Sequence, residues 1–256
     1  KKSHRGWMWA AMNPVQRICC FIYQKGRGKK DINHVLKGYA GNLLTDGHGA
    51  YTKYGKQPGV KHAKCAGHIR RYFEQALEND HARASYVLEN FFGPVYGLEE
   101  ECRLQQLNYD EITDRRQQYA VPVLLRFREW LLTELPKLTP RTPIYKAFTY
   151  ALSHFNGMMV YTTDGMLSID NNALEREIRA IAMGRNSHLF AGSHRGAQQD
   201  AVMYSLIATC KLQGINPSAW MSDVLCRINN HPPDKLVELL PQFWKPVVKE
   251  KMACAS

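Results

Sequence analysis

Two acids in this chain stand where carboxylates can do metal and phosphate chemistry. Asp46 ends the apolar run Leu43-Leu44-Thr45, where a strand should stop, and α/β folds present their ligand-contacting groups at strand C-termini. Glu175 lies far downstream in IDNNALEREIRAIAMGRNSHLFAGS, at the start of a helical pattern and beside Arg176 and Arg179. Such hard oxygens suit Mg²⁺, and a pair of these ions can activate an attacking oxygen and stabilise a leaving one. Each acid also has a plainer use. Asp46-Gly47 is a common turn pair. Asn172 and Glu175 have capping-box spacing, and Glu175 with Arg179 makes a favourable i,i+4 pair. Glu175 neighbours the expected buried stripe of Leu174, Ile178 and Ile181, which directs it along the edge of the core rather than straight into water. Residue type and spacing leave both uses open.

Basic groups gather near the second acid: Arg176, Arg179, Arg185 and Arg195, with His188 and His194. Guanidinium forks match phosphate oxygens, although a solvated basic face explains any single Arg equally well. Cys65-Ala66-Gly67-His68, followed by Arg70 and Arg71, has the form of half a zinc site. No second Cys/His pair at ligand spacing accompanies it, which argues against structural zinc. The sequence has no Walker phosphate loop and no G-x-S-x-G nucleophile.

The chain carries a net charge of +11, unevenly spread. Residues 1–40 hold nine Lys and Arg against Asp31 alone, whereas residues 78–114 hold nine acids against Arg83 and Arg103. A polyanion partner for the basic part would account for this asymmetry. Seven cysteines at irregular spacing fit reduced thiols in a cytosolic protein better than a disulfide framework. No apolar run approaches the roughly 18 residues needed to cross a bilayer, and no signal peptide is evident.

These groups need elements to hold them. Gly6 to Met12 and Arg17 to Gln24 read as strands joined at Asn13-Pro14. A helix is expected over Asp31 to Tyr39, a strand over Asn42 to Thr45, a helix from Gly49 and a strand over Val60 to Ala66, all on one sheet. From Ile69 the pattern turns helical for a long stretch, with Tyr72, Phe73, Ala76 and Leu77 on one face and Val123, Leu124, Phe127, Leu131 and Leu132 on another. Gly93-Pro94 and the Pro136 to Pro143 region should break it into separate helices. Further helices are expected over Ile169 to Ala182, Ala197 to Leu212 and Pro217 to Ile228, with a short strand over Ser187 to Ala191.

In combination, IDNNALEREIR and GRNSHLFAGS resemble the signature of the insertion sequence 66 family of transposases, bacterial enzymes of the DDE class. GYAGNLLTDGHGAY is similar to that family's segment with the second catalytic aspartate. KCAGHIRRYF is similar to its Cys-x-x-His-x-Arg-Arg segment, and SLIATCKLQGINPSAWMSDVLCRI with DKLVELLP to its C-terminal tail. The resemblance implies an α/β fold: an RNase-H-like mixed sheet with flanking helices, a large helical insertion and a helical tail. Residues 1–77 and 161–205 would form the catalytic core, 78–160 the insertion and 206–256 the tail.

The resemblance further implies two Mg²⁺ ions, with Asp46 and Glu175 as the second and third acids and as metal ligands; if they share a metal site, their carboxylates should lie roughly 4–6 Å apart or be bridged by water. His68 would lie near the reacting centre, and Arg70, Arg71, Arg176, Arg179 and Arg185 would contact DNA. The implied partners are transposon ends and target DNA, further copies of the chain on that DNA, and accessory proteins of the same element, in the bacterial cytoplasm and not at a membrane. The family's first aspartate would precede the opening hairpin, and Asp31 does not suit that role, so the isolated chain is expected to be inactive. Two other readings are a degenerate remnant that binds DNA or a partner, and an RNase-H-like nuclease that cuts without joining.

Overall fold

A computed structural model describes residues 4–184 and 190–246. In chain order the strands and helices are β1 (Trp7–Asn13), β2 (Ile18–Gln24), α1 (Lys29–Val35), β3 (Gly41–Thr45), α2 (Ala50–Tyr54), β4 (Val60–Lys64) and α3 (Ala66–Ala76). There follow α4 (His81–Val87), α5 (Gly93–Leu104), α6 (Tyr109–Arg115), α7 (Val121–Glu134), α8 (Pro143–Met159), α9 (Asn172–Gly184), α10 (His194–Leu212) and α11 (Pro217–Arg227). The fold is mixed α/β and mostly helical. It comprises two compact units, one of residues 28–173 and one of 1–27 with 174–256, so the division falls in the first turn of α9.

The expected single sheet is not what forms. Among the described residues there are two separate two-stranded sheets, β1 with β2 antiparallel and β3 with β4 parallel. In the unit of residues 1–27 and 174–256, the outer edge of β2 is satisfied by a helix instead of a strand. The Cys19 N–H donates to Thr209 Oγ1 (3.2 Å) and the Phe21 N–H to Ser205 Oγ (2.7 Å), while Thr209 returns a bond to the Cys19 carbonyl (3.1 Å). Hydroxyls one turn apart on α10 thus cover a strand edge that would otherwise invite pairing. The stripe assigned to α9 is also narrower than expected. Leu174 and Ile181, two turns apart, pack on the small core of Cys19, Phe21, Ala201 and Ala208, but Ile178 is 40% exposed because it lies off that line.

In the unit of residues 28–173, α3, α5, α7 and α8 enclose the main core. Phe73 touches the rings of Phe92, Phe127 and Phe148 at its centre. The expected faces hold for Phe73, Ala76, Leu124, Phe127 and Leu131, whereas Leu132 is 47% exposed. The helix expected to run to Tyr39 ends at Val35, and Gly38 then turns the chain in the left-handed region at φ +75°.

Gly93-Pro94 does not break the helical path. Residues Leu88–Phe92 widen into a π turn, in which the Gly93 N–H bonds the Leu88 carbonyl. The turn thereby accommodates a proline that has no N–H and would crowd the carbonyl four residues back. Arg116–Ala120 repeats the device before Pro122. The Pro136 to Pro143 region does interrupt the helices, with a 3₁₀ turn at Leu135–Lys137 before α8.

Candidate active site at the strand ends

β3 and β4 run parallel with Thr45 opposite Lys64, so both chains leave the sheet side by side. Asp46 follows the first strand and Cys65 the second, and the Cys65 N–H donates to the Thr45 carbonyl at 3.0 Å. Asp46 is half-buried, and its Oδ1 accepts the His48 N–H at 3.0 Å. This is the Asx-turn geometry that an Asp-Gly pair favours. The turn fixes the carboxylate without consuming Oδ2, so the plain use of Asp46 and the chemical one are compatible.

Helix α8 forms the wall facing this turn. A Cβ on Gly47 would overlap the Tyr150 hydroxyl, so glycine is what lets the turn approach the helix. Tyr150 stacks between Tyr72 (ring centroids 4.2 Å apart) and His154 (4.0 Å). Burial, Tyr72 and Asp46 together push the Tyr150 hydroxyl up to about 12, so it stays protonated as a donor. His154 Nδ1 lies 2.9 Å from the Tyr150 carbonyl, and burial holds this imidazole below its ordinary pKa. On β4, burial and the Lys64 charge bring His62 down to about 4, and its Nε2 meets Thr45 Oγ1 at 2.8 Å. Lys64 Nζ lies 3.4 Å from the Asp46 carbonyl oxygen; burial lowers its pKa, and the charge of Asp46 opposes that.

The Cys65–His68 segment forms the entry to α3. Cys65 is buried, and its Sγ accepts the Asn171 N–H at 3.4 Å. Burial raises the thiol pKa, with the amides of Asn171, His68 and Gly67 acting the other way. His68 sits half-buried in the first turn of α3. Arg70 and Arg71 are exposed, and Arg70 pairs with Glu74 at 3.1 Å and lies over the Tyr96 ring at 5.4 Å.

Sequence reasoning passed over Asp170. Its Oδ2 accepts the Tyr96 hydroxyl at 2.9 Å and the Asn172 side-chain amide at 2.7 Å, and its Oδ1 accepts the Asn172 N–H at 3.0 Å. It anchors the approach to α9. The Asp-Asn-Asn triplet just ahead of a helical repeat was the available signal.

Asp46, His68, Arg70 and Arg71 therefore share one unit. Glu175, in the first turn of α9 and half-buried, belongs to the other with the exposed Arg176 and Arg179. Arg185, His188 and most of the strand expected over Ser187 to Ala191 lie outside the described residues. Among the described residues, no group of three or more His, Cys, Asp or Glu is placed to hold a metal ion. No described helix is long and apolar enough to cross a membrane.

Curated relatives carry the likeness along the chain. It is 34% identical to the uncharacterized protein y4hP of Sinorhizobium fredii over 86% of its own length and 42% of that protein's. It is 29% identical to y4jD and 28% identical to y4qI of the same organism, over 91% and 96% of the chain and 47% and 48% of theirs. The chain thus spans somewhat less than half the length of these relatives. No solved structure matches it. The model of the family described as "Transposase IS66 family" covers residues 1–199, and that of the "IS66 C-terminal element" covers 205–242. With both in chain order, the protein belongs to the IS66 family of transposases.

Proposed function

We propose that the chain forms the greater part of the catalytic region of a DNA transposase that cleaves phosphodiesters at element ends and joins the resulting 3′-hydroxyl to target DNA. The observation that carries this is the half-buried carboxylate of Asp46, fixed by its own turn at the ends of two parallel strands in a chain of this family. A strand–helix–strand unit with a hairpin before it supports an RNase-H-like core. In that reading residues 1–77 and 161–205 make the core, 78–160 the insertion and 206–256 the tail.

Asp46 and Glu175 are the acids assigned to divalent metal, Mg²⁺ in this reading, which when bound would polarise the attacked phosphate and activate the attacking oxygen. Both side chains are hard oxygen donors, as Mg²⁺ requires. They do not complete a shell among the described residues. The His48 N–H orients the Asp46 carboxylate, while the protonated Tyr150 hydroxyl and the neutral His154 face the adjoining Gly47 and add no negative charge there. His68, whose charge bears on His154, is assigned to the same site. Arg70, Arg71, Arg176, Arg179 and Arg185 are assigned to the DNA backbone, with further copies of the chain and accessory proteins of the element as the other partners. The setting would be the bacterial cytoplasm.

Cleavage of labelled duplexes carrying the element's ends tests this, using the full reading frame that contains the chain and added Mg²⁺. Asp46→Asn and Glu175→Gln should each abolish cleavage and joining while leaving DNA binding in place. Cleavage that survives both substitutions would refute the assignment, and binding with no cleavage by the unsubstituted protein would favour a DNA-binding module.

A further inference from the structure

We propose that Lys64 is a phosphate-binding residue, its ammonium held at the end of β4 beside Asp46 so as to take a non-bridging oxygen of the DNA strand engaged there. The inference rests on the DNA-processing reading of the site. Lys64 lies opposite Thr45 in the parallel register, so it flanks the residue that leads into Asp46. Its stem is guided by packing. On α8, a Cβ on Gly157 would overlap Lys64 Cγ and lie 3.1 Å from Lys64 Cβ, so the helix offers a slot where any side chain would displace the lysine. The slot aligns the aliphatic stem and brings the charged head to the strand ends.

The head is poorly spent where it sits. An ammonium has three donors, and Nζ uses one on the Asp46 carbonyl at 3.4 Å. Lys64 makes no ion pair with a carboxylate among the described residues. Arg116 in the same unit shows the contrast: that buried cation is bound side-on by Glu99 and by two carbonyls. A half-buried cation has given up part of its hydration, and fixed partners normally make up the difference. At Lys64 the remaining donors are left for a ligand. A carboxylate alone would repel a phosphodiester at this place, and a compact positive charge beside it offsets that repulsion.

The test is a fluorescence-anisotropy titration of a labelled DNA duplex with the whole chain, in EDTA and at several salt concentrations. Binding without divalent ions separates the lysine from any metal role of Asp46. Lys64→Met keeps the stem and removes the charge. It should weaken binding about 3- to 10-fold and reduce the slope of log affinity against log salt by about 0.9, the value of one phosphate contact. Lys64→Arg should keep the slope. Lys64→Gln should repeat the methionine result, and thermal melts of all variants should match the unsubstituted chain, so that a folding defect is not read as lost contact. If folded Lys64→Met or Lys64→Gln binds with unchanged affinity and slope, Lys64 serves only packing and local charge balance, and the proposal falls while the transposase reading stands. If the unsubstituted chain binds no DNA, the DNA reading itself fails and takes this inference with it.

Discussion

Arg116 meets Glu99 side-on, with Nε donating to Oε1 at 2.8 Å and Nη2 to Oε2 at 2.6 Å, while Nη1 donates to the carbonyls of Tyr161 and Asp164 at 2.9 Å each. One guanidinium, 3% exposed, thus fastens α5 and the π turn before α7 to the segment that follows α8.

Removing either partner strands a buried charge or several buried acceptors. Glu99→Ala and Arg116→Ala should each cost about 3–5 kcal/mol of stability. Arg116→Met, which fills the space without charge, should cost less than Arg116→Ala. Urea unfolding with an unchanged m-value reads this directly. A loss below about 1 kcal/mol for Glu99→Ala would mean that the pair is solvated and contributes like a surface bridge.

Two glycines of the helical unit, one buried and one exposed, should respond in opposite directions to the same change. A Cβ on Gly165 would run into the main-chain carbonyl of Tyr109, which cannot rotate away. Gly165→Ala should therefore destabilise by about 1–3 kcal/mol. Gly97, exposed in α5, has nothing within 4 Å of the added methyl. Gly97→Ala should stabilise by up to about 1 kcal/mol through helix propensity alone. Thermal melts of the two variants beside the parent check both signs.

The thiols should sort by exposure. Cys19, Cys65, Cys102 and Cys210 are buried, and burial raises the pKa of each, that of Cys19 to about 12. Cys20 and Cys226 are exposed. Brief alkylation of the native chain followed by peptide mapping should label Cys20 and Cys226 and leave the four buried thiols until denaturant is added. Early labelling of Cys65 would show that the entry to α3 opens readily.

What the sequence disclosed follows from how local each feature is. Asp46 at a strand end, the helix carrying Glu175 and the core faces around Phe73 and Phe127 are set by short-range pattern, and the structure has them where the pattern puts them. The chain's path through Pro94 and Pro122 was not legible, because a π turn is a response to proline within a packed helix, and no propensity encodes it. Nor was the separation of the sheets. Ser205 and Thr209 look like ordinary helix residues until α10 is laid along the edge of β2. Lys64, Tyr150, His154 and Asp170 were missed for a related reason. Each gains meaning only from a partner far along the chain: Gly157, Gly47 or Tyr96.

The histidines at the strand ends should also be felt in the pH dependence of folding. His62 is held at about 4 by burial and by the Lys64 charge, and burial likewise lowers His154, whereas an unfolded histidine titrates near 6.5. Both rings are neutral in the folded chain at pH 7. As pH falls below about 6.5 the unfolded state takes up protons that the folded state refuses, so stability declines toward pH 4 and is fully present above about 6.5. Denaturation midpoints measured from pH 7.5 down to 5, above the range where carboxylates dominate, should fall steadily. His62→Gln keeps a group able to meet Thr45 Oγ1 and abolishes the titration, so its midpoint should depend less on pH across that interval. A parent chain more stable at pH 5 than at pH 7, or a His62→Gln variant with an unaltered slope, would show that this imidazole is charged in the folded protein and that its pairing with Thr45 has been read the wrong way.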